Sequence, residues 1–247
     1  MIEIIAPAII IGLLIAITHS FLGIKVLQKG IVFIDLAVAQ IAGFGVVLAG
    51  ILFHDHGYLA QLFGFLFAII ASIFFFLIEK KAPDLEEAII GSSFILFASL
   101  TAIFLSVHAH GHEEMGHLLS GQILFTTFKD VLWCAPIYLI ISALWFAKPS
   151  IREGLSFYLI FALVITASVQ LVGIYMVFAS LIIPAIVARY FTKDLLSALI
   201  CGIASVISGM IAAAILDLAA GALIVAFYAI IACLMICCKM LVQKYLQ

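Results

Sequence analysis

Charge is scarce in this sequence. Asp, Glu, Lys and Arg make up 10% of its 247 residues, and the formal net charge is -2. With no basic stripe to neutralise phosphates, the chain is excluded as a nucleic-acid binder. No GxxxxGK[ST] run occurs, so there is no P-loop through which it could use a nucleotide itself. HExxH and GxSxG are also missing, as is a pair of intramembrane aspartates on facing helices, which removes the familiar membrane hydrolases. Cysteines number five. Cys134, Cys201 and Cys233 fall in apolar runs and Cys237 and Cys238 near the last basic residues, so they read as small buried hydrophobes and not as a disulfide framework.

What the sequence has in abundance is apolar length. Hydrophobic residues account for 67% of it and the mean hydropathy is +1.40, more apolar surface than a water-soluble domain of this size can hide. The expected fold is all-α, a polytopic membrane helix bundle forming a single transmembrane domain over 1–247. Cutting at charged and turn-forming clusters leaves apolar segments near 4–22, 31–53, 57–78, 88–107, 130–147, 155–171, 174–190, 195–216 and 219–238. That predicts about nine transmembrane helices, with eight as the alternative count if the sixth and seventh, separated by Leu171, Val172 and Gly173, form one broken element. The first run is read as a retained span and not a secretory signal, because Glu3 precedes it and Lys25 follows it.

Basic residues set the orientation. Lys25, Lys29, Lys80, Lys81, Lys148, Arg152, Arg189, Lys193, Lys239 and Lys244 fall on one side of the nine-span layout, and Lys129 alone falls on the other. By the positive-inside rule the crowded side is cytoplasmic, with the N-terminus outside and the C-terminus in the cytoplasm. Merging the sixth and seventh segments would put Arg189 and Lys193 on the wrong face.

The polar residues that remain are not scattered. HAHGHEEMGH at 108–117 gathers four of the seven histidines, and the predicted topology places it outside. Short His-rich tracts bind first-row metals, and Gly111 and Gly116 let His108, His110, His112 and His117 converge with Glu113 or Glu114. Their spacing fits no closed zinc motif, which points to a weak, exchanging site. His54, Asp55 and His56 form a shorter external cluster of the same chemistry. Asp35 in GIVFIDLAVAQIAG is an acid within a span and therefore a functional candidate by default. The antiparallel first helix carries His19 at similar depth, so His19 and Asp35 form a candidate imidazole and carboxylate pair, with Gln40 about one and a half turns further along. Asp217 marks a candidate mouth at the external end of its segment. Pro184 in LIIPAIVA interrupts a helical ladder, whereas Gly202 and Gly209 read as close-packing positions.

Five stretches carry a resemblance: HSFLGIKVLQKGIVFIDLAVAQIAG at 19–43, PDLEEAIIGSSFILFASL at 83–100, LLSGQILFTTFKDV at 118–131, VQLVGIYMVFASLIIPAIVA at 169–188 and LDLAAGALIV at 216–225. In this order they resemble the permease subunits of the bacterial zinc and manganese ABC importers, the ABC-3 family. The resemblance implies a homodimeric permease in the bacterial cytoplasmic (inner) membrane. It also implies two cytoplasmic ATPase subunits and an extracytoplasmic metal-binding protein as partners. Zn2+ is the expected cargo, with Mn2+ or Fe2+ as alternatives, since the external ligands are rich in imidazole. Asp35 matches the family's aspartate on the second helix, and Glu86, Glu87, Ala88 and Gly91 match the start of its fourth. Two departures stand out: Ala39 replaces a histidine found in many relatives, and the segment AKPSIREGLSF is shorter than the usual loop there. Read from its residues alone, the chain is equally a proton-coupled secondary carrier of divalent cations. In either reading any ATP hydrolysis belongs to another chain.

Overall fold

The structure is a computed structural model that describes residues 2–53, 57–106, 119, 123–192 and 194–245. Among the described residues, eight helices are long and apolar enough to cross a bilayer. They are α1 (Ile2–Lys29), α2 (Ile34–Phe53), α3 (Tyr58–Lys81), α4 (Glu86–Ser106), α5 (Phe128–Ala147), α6 (Gly154–Arg189), α7 (Asp194–Leu216) and α8 (Ala220–Tyr245). Short 3-10 turns at Pro83–Leu85, Ile123–Phe125 and Pro149–Arg152 lead into or link them.

Three boundaries differ from those read off the sequence, each for a local reason. α1 runs on to Lys29, so Lys25 and Lys29 lie on the helix and not in a loop; their long stems let the ammonium groups reach water from an apolar helix end. Gly30 then ends it at φ +80, the left-handed position that closes many helices. α5 starts earlier because Thr127 and Asp130 cap it reciprocally. The Thr127 amide and hydroxyl donate to Asp130 Oδ2 at 2.7 and 2.8 Å, while the Asp130 amide donates to Thr127 Oγ1 at 3.4 Å.

The third concerns the sixth and seventh segments, which form a single 36-residue element, α6, interrupted at Gly173 (φ 76, ψ 167). An unbroken helix of that length would extend about 54 Å, well past the roughly 30 Å of bilayer hydrocarbon. The backbone at Gly173 is one that only glycine adopts readily.

The chain divides into two compact units. One comprises Met1–Lys29, Gln122–Ser142 and Tyr175–Gln247; the other comprises Gly30–Gly121 and Ala143–Ile174. In the first, α7 packs against both α1 and α8. Small residues bring the backbones together: a Cβ on Gly209 would stand 2.6 Å from the Cα of Ile224, and one on Gly23 would overlap the Leu181 carbonyl oxygen. In the second, α2 is central and packs on α3 and α4, with the Phe44 ring at 5.5 to 5.9 Å from those of Phe67, Phe97 and Phe104. Outward faces, such as Leu62, Leu66, Ile69, Ile70 and Ile73 of α3, are exposed and apolar, as hydrocarbon demands.

Candidate metal path

Helix α2 carries an acid in its first turn. Phe33 stands just before it, accepting the amide of Ala37 at 3.1 Å, and Asp35 follows in the first turn. The positive end of the helix dipole favours a carboxylate there. Glu87 of α4 supplies a second one: its Oε1 accepts the Phe33 amide at 3.2 Å, satisfying one of the donors that a helix start leaves open.

Asp35 is 1% exposed, and neither of its carboxylate oxygens finds a hydrogen-bond partner. Glu87 Oε2 is likewise buried and unpartnered. An acid held this way is costly unless a cation or proton completes it. Gln40 lies further along α2 and is buried at 4% exposure. Ala39, its neighbour in sequence, is fully buried.

In the other unit, His19 of α1 is wholly buried, and its Nδ1 lies 2.7 Å from Ser180 Oγ on α6. The Ser180 hydroxyl donates to the Val177 carbonyl at 2.9 Å, so in the Ser180 contact the imidazole is the donor. His19 also engages the Val177 carbonyl. Pro184 sits one turn on and has no N–H to offer the Ser180 carbonyl, so the polar groups of His19 and Ser180 meet where the α6 ladder is already open. The expected pairing of His19 with Asp35 would join the two units, and each residue is described within its own.

Asp217 lies exposed just past the end of α7 at φ 53, a left-handed position that Asp tolerates better than most side chains. His54, Asp55 and His56, together with His108, His110, His112 and His117, fall outside the described residues. Among the described residues, no three His, Cys, Asp or Glu side chains gather into a metal-holding group.

Two contacts escaped the sequence reading. Tyr158 donates its hydroxyl to Glu86 Oε1, and Glu87 reaches the α2 start. A tyrosine one turn into an apolar span is a signal in itself, because a buried phenol needs a partner.

Among the described residues, eight helices long and apolar enough to cross a bilayer, one of them with a buried carboxylate at its start, define a multi-pass membrane protein. The chain matches the ABC 3 transport family over residues 1–153 and 150–239, and it belongs to that family. It is therefore a multi-pass protein of the inner membrane. It is 25% identical over 244 residues to the high-affinity zinc uptake system membrane protein ZnuB of Haemophilus influenzae, covering 90% of this chain and 92% of that one. Its fold is similar to PsaBC from Streptococcus pneumoniae, solved in complex with Fab, with a TM-score of 0.72 at 20% identity over 94% of this chain and 91% of that chain.

Proposed function

We propose that this chain is the permease subunit of an ATP-driven importer of a divalent metal, with Zn2+ as its principal cargo. Family membership and the zinc-uptake relative support the class. The Asp35 carboxylate, buried with both oxygens unpartnered, is the observation that carries the metal path. In this reading the permease works as a homodimer with two cytoplasmic ATPase subunits, and it receives the ion from an extracytoplasmic metal-binding protein. The N-terminus lies outside and the C-terminus in the cytoplasm, with Gly173 separating two crossings.

Asp35 takes the ion within the bundle. His19, oriented by its hydrogen bond to Ser180, supplies the imidazole that zinc favours, as ring donors to neighbouring oxygens commonly do for ligating histidines. Gln40 follows on the same helix. The external histidines and Asp217 raise the local metal concentration at the mouth.

Metal uptake into proteoliposomes tests this. Zn2+ should accumulate only when the permease, its ATPase and its binding protein are all present with ATP. Uptake by the permease alone under a proton gradient would instead establish the secondary carrier. Running Zn2+ against Mn2+ and Fe2+ in the same vesicles ranks the cargo.

A further inference from the structure

Segment 80–87 and the start of α6 that follows segment 148–154, both on the side that the proposed orientation makes cytoplasmic and within an ATPase's reach, meet at one buried hydrogen bond. Tyr158 is 1% exposed, Glu86 is 7% exposed, and the phenol donates to Glu86 Oε1. Glu79 at the end of α3 lies against the same hydroxyl. From α3, Ser72 Oγ donates to the Tyr158 backbone carbonyl at 3.0 Å, and the Phe76 ring stands 6.1 Å from that of Tyr158. The Lys80 ammonium lies over the Phe76 ring, 4.5 Å from its centroid. The ends of α3, α4 and α6 are thus fastened at one point by a phenol and a carboxylate.

Segment 148–154 is stiff. Arg152 donates twice to the Trp145 carbonyl, at 3.0 and 2.8 Å, and stacks 5.6 Å from its ring. The Lys148 amide returns to Leu144 at 2.9 Å and that of Ile151 to Lys148 at 3.1 Å. Gly154 closes the turn at φ +58, and Tyr158 follows one helical turn later. On the other side of the bond, the residue after Glu86 is Glu87, whose carboxylate holds the Phe33 amide two residues before Asp35.

We propose that Tyr158, through Glu86 and Glu87, is a positioning residue that makes the placement of the Asp35 carboxylate depend on segment 148–154. This rests on the permease reading above and deepens it: the same contacts that fasten three helix ends connect the ATPase side to the ion. A hydrogen bond to a charged acceptor is among the stronger links available inside a protein, and in a dry setting it is not replaced by water. Tyr158→Phe removes one hydroxyl and leaves the ring packing in place.

The test uses the reconstituted transporter with its ATPase and binding protein, and it measures zinc ions moved per ATP hydrolysed together with assembly and melting temperature. In Tyr158→Phe, ATP hydrolysis should continue while ions per ATP fall about tenfold, the size of a typical coupling between sites. Glu86→Gln keeps a carbonyl that accepts the phenol and should retain the ratio, whereas Glu86→Ala should lose it as Tyr158→Phe does. The double variant should be no worse than either single one. An unchanged ratio in Tyr158→Phe, with or without a lower melting temperature, overturns the proposal and leaves a structural bond. If Tyr158→Phe does not assemble, the Glu86 pair decides: equal ratios in the amide and alanine variants overturn it. A wild-type assembly that moves none of Zn2+, Mn2+ and Fe2+ on ATP overturns the permease reading and this inference with it, and where Mn2+ or Fe2+ is the ion moved, the ratio is read with that ion.

Discussion

Asp35 places a carboxylate in the interior with neither oxygen hydrogen-bonded. Asp35→Asn keeps the size of the side chain and removes its charge. The variant should assemble in normal amounts, while ATP-driven zinc uptake drops at least about a hundredfold, since even groups that only orient a metal ligand cost 10- to 100-fold when lost. Uptake at the wild-type rate would remove Asp35 from the path. His19 tests the choice of ion: His19→Asn should depress Zn2+ uptake more than Mn2+ uptake, because imidazole suits zinc and oxygen suits manganese. Gly173 is a residue of a different kind, valued for what it lacks. At φ 76 and ψ 167 a Cβ is strained, so Gly173→Ala should cost roughly 1 to 3 kcal/mol, read as a lower melting temperature of the purified protein in detergent.

At the scale of helices, packing depends on small residues set against backbone. Gly209 is the clearest case, with Ile224 Cα and N at 2.6 and 3.0 Å from a notional Cβ. Gly209→Ala should push α7 from α8 and destabilise by about 1 to 3 kcal/mol, as over-packing does, with thermal unfolding as the measurement. Gly209 and Gly202 were legible in the sequence as close-packing positions, since glycine in an apolar helix has few other uses. The helices themselves were legible for a related reason: apolar length in a bilayer leaves the backbone one way to satisfy itself. Asp35 stood out because charge is so rare around it. Less visible were contacts made across long sequence separations. Nothing near Glu87 says that it caps a helix starting fifty-odd residues earlier, and nothing near His19 names Ser180. The end of α1 was misjudged because two lysines read as a loop, although a lysine stem is apolar for most of its length.

For the whole molecule, the roles proposed for the histidine-rich stretch at 108–117 and for Asp35 predict different dependences on metal concentration. Deleting 108–117 should weaken uptake chiefly when zinc is scarce and leave the maximal rate near wild type. Uptake measured across zinc concentrations checks this, and an unaltered concentration dependence would return the stretch to an ordinary loop. Gly173 also bears on how the protein is made. A ribosome delivers the stretch from Gly154 to Arg189 to the insertion machinery as one apolar ribbon, and the break at Gly173 has to form during or after that handover. In the two-crossing reading proposed above, everything synthesised later, including α7, α8 and their basic residues, inherits its compartment from that single step, so a substitution that straightens the chain there is expected to yield inverted polypeptides for quality control to remove before any question of transport arises.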